Sequence, residues 1–439
     1  MSSYEDDAVQ VARDLIRLDT TNYSTSGSET LAAEYLRDYL TGAGVEAELV
    51  AREPTRANIV ARIPGTDPDA PSLAFVGHTD VVPADPRDWT HPPFEAVVDD
   101  NGYLYGRGAV DMKDEVAARA VAMAELARQG FRPRGDLWFL AVADEEDGTA
   151  DVGMRWLLEQ RPDIRPTMAI NEGGGERLPL TDGRTALTFS VGEKGTLPVN
   201  LVAVGEAGHA SMPTLGRNAV PMLAELIRRL GPGLPDPARS PATDSTLEAL
   251  LGRPVDDLVA DLAVAARFHP TLEHVLPATP GTTMAPTVLA ASSARNVMPA
   301  RAAAELDCRI LPGTTSEQVL ASIRARLGDD LPYELELLPG EVAGSDSDPT
   351  GALPAAVAAC LAEEGDDSFL LPIMCPGFTD SVHLRAAAGT AAYGFSPFRT
   401  TPGEVMAAGY HNADERIHVD DLRLSARFHV ALARRLLGQ

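Results

Sequence analysis

A histidine and an aspartate stand two residues apart at the end of an apolar run, Leu73-Ala-Phe-Val-Gly-His78-Thr-Asp80-Val-Val-Pro83. The first half of this stretch reads as a buried strand, since a strand covered on both faces has no polar side to alternate with. The run stops at Gly77. The spacing i and i+2 then puts His78 and Asp80 on one face of an extended chain. Both would stand at the carboxyl end of a central strand, where open α/β sheets place their ligands. An imidazole there can take a metal, and a carboxylate beside it can orient a catalytic group. Taken alone, the pair also fits a strand end with a polar turn. The rest of the chain decides between the two.

The same pattern returns along the sequence. A glycine-rich loop, Gly102 to Lys113, ends near Asp111, and a helix is expected from Asp114 to Gln129, stopped by Gly130. The apolar run Leu137–Ala143 ends in Asp144-Glu145-Glu146, with a helix expected near 151–160. Met168-Ala-Ile170 ends in Asn171-Glu172-Gly-Gly-Gly175. Strands alternating with helices predict an α/β fold, a mostly parallel sheet with helices on both faces. In that fold His78, Asp80, Asp111, Glu145, Glu146 and Glu172 converge on one edge. Carboxylates that close repel one another, and a bound cation would resolve the repulsion.

The elements that must position these residues begin with two helices, near 8–18 and 31–40, the second with a plausible start at Ser28 and Glu29. Val45–Val50 and Asn58–Ile63 read as strands. From about 186 the character changes. The order becomes strand, strand, helix, insert, strand, helix, strand, that of a small layer of one sheet and two helices. It contains Gly205-Glu-Ala-Gly-His209-Ala-Ser-Met-Pro213 and Arg295-Asn296, and a strand that ends near Arg309. From about 342 the first domain resumes, with helices over 353–363 and 420–437 and, between them, Tyr410-His411-Asn-Ala-Asp-Glu415-Arg-Ile-His418. The expected division is 1–185, 186–341 and 342–439, a second domain inserted into a first.

Composition narrows the function. The 439 residues are 44% hydrophobic and 23% charged, ordinary for a soluble globular chain large enough for two domains. A net charge of -27 repels phosphate backbones, so nucleic acid and anionic membranes are not expected partners. Cys308, Cys360 and Cys375 are too few and scattered for a disulfide framework or thiolate metal site, and read as small buried hydrophobes. The start, Met1-Ser-Ser-Tyr-Glu-Asp-Asp, has neither the basic residues nor the apolar stretch of a signal peptide. No run reaches the roughly 18 apolar residues of a membrane helix, so a cytoplasmic location is expected. Only two of the 37 basic residues are lysines, Lys113 and Lys194, both in motif-like stretches.

Together these stretches resemble the dinuclear-zinc metallopeptidase and deacylase family, which includes aminoacylases, acetylornithine deacetylase, succinyl-diaminopimelate desuccinylase, carboxypeptidase G and cytosolic dipeptidases. The resemblance rests on Gly77-His-Thr-Asp-Val-Val-Pro83, Gly106-Arg-Gly-Ala-Val-Asp-Met-Lys113, Asp144-Glu-Glu146, Asn171-Glu-Gly173, Gly208-His-Ala-Ser211, Asn296 with Arg309, and His411 followed by Asp414-Glu415. It covers nearly the whole chain. It implies a zinc-exopeptidase-like catalytic domain plus an inserted α+β two-layer lid and dimerisation domain.

The resemblance also implies roles. His78 and Glu172 would hold one zinc, Glu146 and His411 the other, and Asp111 would bridge them. Such ligands suit Zn2+, and Co2+ or Mn2+ would also fit. Glu145 would be the general base, and Asp80 would hold the His78 ring. His209 would cross a homodimer interface to stabilise an oxyanion. Asn296 and Arg309 would hold a substrate carboxylate, a task that suits the planar fork of arginine. His418 is expected at a helix entry rather than on a metal. Thr379 and Asp380 resemble a family turn near the substrate, or else form a helix N-cap. The stretch from about 231 to 280 is longer than the minimal family lid, and is expected to cover the pocket or to extend the dimer surface. The lid and Trp89-Thr-His-Pro-Pro-Phe94 resemble the aminoacylase and carboxypeptidase-S-like branch more than the desuccinylase branch. The expected activity is hydrolysis of an amide beside a free carboxylate, first as an N-acyl-amino-acid deacylase, alternatively as a carboxypeptidase or dipeptidase. A non-catalytic homologue should lack a ligand or Glu145, and none is missing.

Overall fold

A computed structural model describes residues 3–438. It divides into two compact units. The first takes in the chain to Val191, Ser347–Ile373 and everything from Thr379 on. The second is Gly192–Asp346 with Met374–Phe378. The divide falls later than the change of character at 186 suggests, because Ser190 in the Thr185–Glu193 strand still pairs with Gly394 of the first unit's sheet.

The sheet of the first unit runs Glu46–Ala51, Ala57–Ile63, Leu137–Val142, Leu73–His78, Met168–Asn171, Ala391–Gly394 and Thr185–Glu193. The four middle strands are parallel, and the flanking pairs are antiparallel. Leu73–His78 lies at the centre and is buried along its whole length, which is why it reads as an unbroken apolar run.

Its two faces meet different helices. Ala74 and Val76 join Trp138, Leu140 and Val142 in a core with Met154, Leu157 and Leu384, from the helices Met154–Gln160 and Ser381–Ala388. Phe75 faces the other way, its ring edge-on to His429 at 5.2 Å, toward the helix Val419–Leu437. Gly77 shares that side. A Cβ there would come within 2.7 Å of Val116 on the helix Lys113–Arg128, so glycine is what lets this helix lie against the strand. Lys113 is buried at the start of the same helix. Its Nζ donates to the carbonyls of Leu15 (3.0 Å) and Leu18 (2.8 Å), closing the end of the helix Tyr4–Arg17.

Of two local expectations one changes, the start of the second helix, and one holds, His418 at a helix entry. Ser28 and Glu29 precede the helix Thr30–Gly42, but Glu29 makes no capping bond. Its buried carboxylate instead meets the guanidinium of Arg56, at 3.0 and 3.1 Å from Nε. His418 is the N-cap of the last helix, accepting from the Asp420 amide through Nδ1, with Nε2 at 3.1 Å from the Asn101 carbonyl.

The second unit is an antiparallel sheet built on Val199–Val204, Thr283–Ala290, Arg301–Ile310 and Tyr333–Leu337, covered by the helices Ala219–Leu230 and Ser316–Leu327. One covered face makes its strands alternate. Ala302, Ala304, Leu306, Cys308 and Ile310 point into the core, with more exposed residues between them. Thr283–Ala290 is a strand that the sequence does not announce. It contains Pro286, and its register shifts between Pro286 and Val288, which an edge position tolerates. Residues 241–275 carry three further helices, Pro241–Leu251, Leu258–Ala265 and Pro270–Val275. Among the described residues no helix is long and apolar enough to cross a membrane.

Candidate metal centre

Parallel strands deliver their carboxyl ends to the same edge, and the acids collect there. His78 ends the central strand, Glu172 follows the Met168–Asn171 strand, and Glu145 and Glu146 follow Leu137–Val142. Asp111 comes from the loop before the helix Lys113–Arg128. The His78 Nε2 lies 3.1 Å from Asp111 Oδ1, 3.6 Å from Glu172 Oε2 and 3.9 Å from Glu145 Oε2. The His411 Nε2 lies 2.9 Å from Glu146 Oε2 and 3.2 Å from Asp111 Oδ2. Asp111 therefore turns one oxygen to each imidazole.

Two donor groups are close enough to surround an ion: His78, Asp111 and Glu146, and His78, Glu145 and Glu172. Within each, the donor atoms lie within 4.8 Å of one another. Mixed imidazole and carboxylate donors suit divalent metals of the zinc type.

The electrostatics demand positive charge. Burial and the neighbouring Glu172 push the Glu145 carboxyl well above its usual range. Burial takes Glu146 to about 7, against the pull of His411. Bonds to Asp111 and Glu146 lift the His411 imidazole to about 10. Burial opposes charge on His78, yet Glu172 and Asp111 outweigh it and raise its pKa. The raised Glu145, Glu146 and imidazoles mark a cluster short of cations, a charge that a divalent ion would supply.

Asp80 is fully buried beneath this cluster. Its carboxylate accepts from the amides of Glu145 (3.2 Å) and Glu146 (3.1 Å) and from Asn22 Nδ2 (2.9 Å). The His78 Nδ1 is nearer the Asp80 main-chain oxygen, at 3.0 Å, than its carboxylate, at 3.6 Å. The side chain thus fixes chiefly the Glu145-Glu146 turn, and the backbone meets the ring. Asn22 also reaches Asp144 (3.2 Å), and Arg56 links Asp144 (3.3 Å) to Glu29. Asn22, Glu29 and Arg56 carry no local signal of this role, since their partners lie far along the chain. Asp380 is also buried here. Burial, Glu172 and Asp80 raise its carboxyl strongly, and it makes no helix-capping bond.

His411 is exposed, and a cavity of about 620 Å³ opens beside it, lined by Pro83, Trp89, Arg107 and Asn412 among others. The remaining sequence candidates belong to the second unit. The pair Gly208–His209 bonds to Val297–Met298, and the Ala210 amide reaches the Asn296 carbonyl at 3.0 Å, so exposed His209 and Asn296 share one small ribbon. The His209 Nδ1 meets Ser211 Oγ at 2.7 Å. Arg309 is half-buried and paired with Asp307 at 2.7 Å.

Comparison with known proteins shows the family. The model of peptidase family M20/M25/M40 matches residues 74–435. The chain belongs to this family. A succinyl-diaminopimelate desuccinylase of Methylobacterium radiotolerans is 30% identical over 434 residues, covering 96% of this chain and 95% of the relative. The N-fatty-acyl-amino acid synthase/hydrolase PM20D1 of Mus musculus is 26% identical over 442 residues, 94% of this chain and 84% of that one. The M20 metallo-carboxypeptidase Sso-CP2 of Sulfolobus solfataricus superposes with a TM-score of 0.70 at 20% identity, covering 98% of this chain and 99% of the other, and shares its fold. This M20 chain is a hydrolytic enzyme that acts on amide bonds. A desuccinylase and a hydrolase of acylated amino acids both occur among its full-length relatives.

Proposed function

We propose that this M20 enzyme is a zinc-dependent N-acyl-amino-acid deacylase, cleaving an amide beside a free carboxylate. The observation that carries the reading is Asp111, with one oxygen 3.1 Å from His78 and the other 3.2 Å from His411. His78 and Glu172 would hold one zinc, Glu146 and His411 a second, with Asp111 common to both. Ions held this way lower the pKa of water and polarise a carbonyl. Glu145 takes a proton from the nucleophilic water and gives it to the leaving nitrogen. Asp80 keeps Glu145 and Glu146 in register through their amides.

The roles of His209 as oxyanion donor across a homodimer, and of Asn296 and Arg309 on the substrate carboxylate, rest on the family resemblance. So does a lid and dimerisation role for the second unit, while a cytoplasmic location rests on the composition of the chain. The two full-length relatives named for acylated amino acids favour a deacylase over the second reading, a carboxypeptidase or dipeptidase.

A hydrolysis screen of the zinc-loaded protein tests this. It sets N-acetyl, N-succinyl and long-chain N-acyl amino acids against dipeptides and a carboxyl-blocked control. Cleavage of acyl amino acids, lost when the carboxylate is blocked, is expected. Preference for dipeptides would transfer the enzyme to the second reading.

A further inference from the structure

Glu415 lies four residues after His411 and has no exposed surface. Its Oε1 accepts from the amides of Val110 (2.7 Å) and Asp111 (3.0 Å). Its Oε2 accepts from the Gly108 amide (3.1 Å) and from Arg107 Nη1 (2.7 Å). The Glu415 carbonyl accepts from the Gly106 amide at 3.1 Å. One residue thus holds most of the loop that carries Asp111. Arg107 is fixed in turn by the Trp89 ring, 5.2 Å from its guanidinium carbon.

The same residue anchors the other side of the centre. The segment between His411 and Glu415 is tightly folded, with φ of 55° at His411 and 58° at Asp414, a region that side-chain-bearing residues rarely adopt. Asp414 is pinned by the Thr90 amide and hydroxyl, each at 2.7 Å. With Asp414 and Glu415 both tied down, the spacing of His411 from Asp111 is set by the backbone rather than by the two side chains alone.

Every group that meets the Glu415 carboxylate is a donor. Only an acceptor on both oxygens satisfies all four. A glutamine would turn an NH2 either toward two amides or toward an amide and a guanidinium.

We infer that Glu415 is a positioning residue that sets the Asp111–His411 spacing and thereby the affinity for the ion those two would share. The inference rests on the metal assignment under Proposed function.

The test uses the full chain, stripped of metal and titrated with zinc by calorimetry, as wild type, Glu415→Gln and Glu415→Asp. Wild type is expected to take two ions. Glu415→Gln is expected to weaken one ion, the one between Asp111 and His411, by roughly 10- to 100-fold, the range seen when groups behind metal ligands are removed, and to weaken the other distinctly less, through their common ligand Asp111. Its kcat should fall with that loss and its KM should not change. Glu415→Asp keeps the charge but shortens the reach, and should lie between the two. It also serves if the glutamine variant does not fold. Both ions held with wild-type affinity in the variants, or both weakened equally, would overturn the inference. A wild type that takes no zinc would instead overturn the metal assignment itself.

Discussion

Glu145 and Glu146 are adjacent, yet their carboxylates meet different partners. Glu146 Oε2 is 2.9 Å from His411, and Glu145 Oε2 is 3.9 Å from His78. If Glu145 is the base, Glu145→Gln should lower kcat by about 10²–10⁴-fold and leave the metal content intact. Initial rates with metal analysis check this. Loss of an ion would make Glu145 a ligand instead, since it shares a donor group with His78 and Glu172. Histidine protonation gives a second prediction. In the metal-free cluster the His411 pKa is raised from 6.5 to about 10. The stability it contributes is therefore fully present below 6.5 and is lost as pH rises through about 10. A metal needs the neutral ring, so zinc binding at pH 7 should release the His411 proton and strengthen as pH rises. Proton uptake by a weak buffer on zinc addition measures it, and a pH-independent affinity with no release would contradict it. The acids at strand ends were legible in the sequence because each closes an apolar run. Asn22, Arg56 and Glu29 were not, because a buried ionic chain is made by contacts between distant segments. The two lysines stand out in an arginine-rich sequence, and their reason is structural. Each is buried with its Nζ on two carbonyls, Leu15 and Leu18 for Lys113, Ala278 and Gly281 for Lys194.

At the scale of elements, the strand ends are held in place by one buried arginine. Arg119 projects from the helix Lys113–Arg128 and donates to the carbonyls of Val76 (2.5 Å) and Asn171 (2.9 Å), next to the ends that carry His78 and Glu172. It also pairs with buried Glu115. Burial raises the Glu115 carboxyl to about 7 even though Arg119 lowers it. Arg119→Met should therefore destabilise the protein by about 3–5 kcal/mol, because it leaves Glu115 without its partner and removes a donor from the Val76 and Asn171 carbonyls. Adding Glu115→Met should restore part of the loss, since both charges then go together. Urea unfolding of the two variants decides it. A double variant no better than the single one would locate the cost in the carbonyls. The strand–helix alternation was readable because buried parallel strands are apolar throughout. The edge strand Thr283–Ala290 escaped because Pro286 and its mostly exposed side chains give it neither an apolar run nor a clean alternation.

For the whole molecule, the two compact units should respond differently to metal. His78, Asp111, Glu145, Glu146, Glu172 and His411 all belong to the first unit, and the Arg301–Ile310 strand belongs to the second. A ligand that binds only the folded state stabilises it by about 4 kcal/mol at a thousandfold excess over its Kd. That stabilisation acts on the elements whose opening breaks the site. Hydrogen exchange followed by mass spectrometry, with zinc and with a chelator, separates the cases. Zinc should slow exchange in Leu73–His78, Leu137–Val142 and Met168–Asn171, whose ends carry the ligands. Arg301–Ile310 should exchange at the same rate with or without metal. Equal protection of both would mean that the units open as one, and protection confined to the second would place the metal away from the acids at the sheet edge.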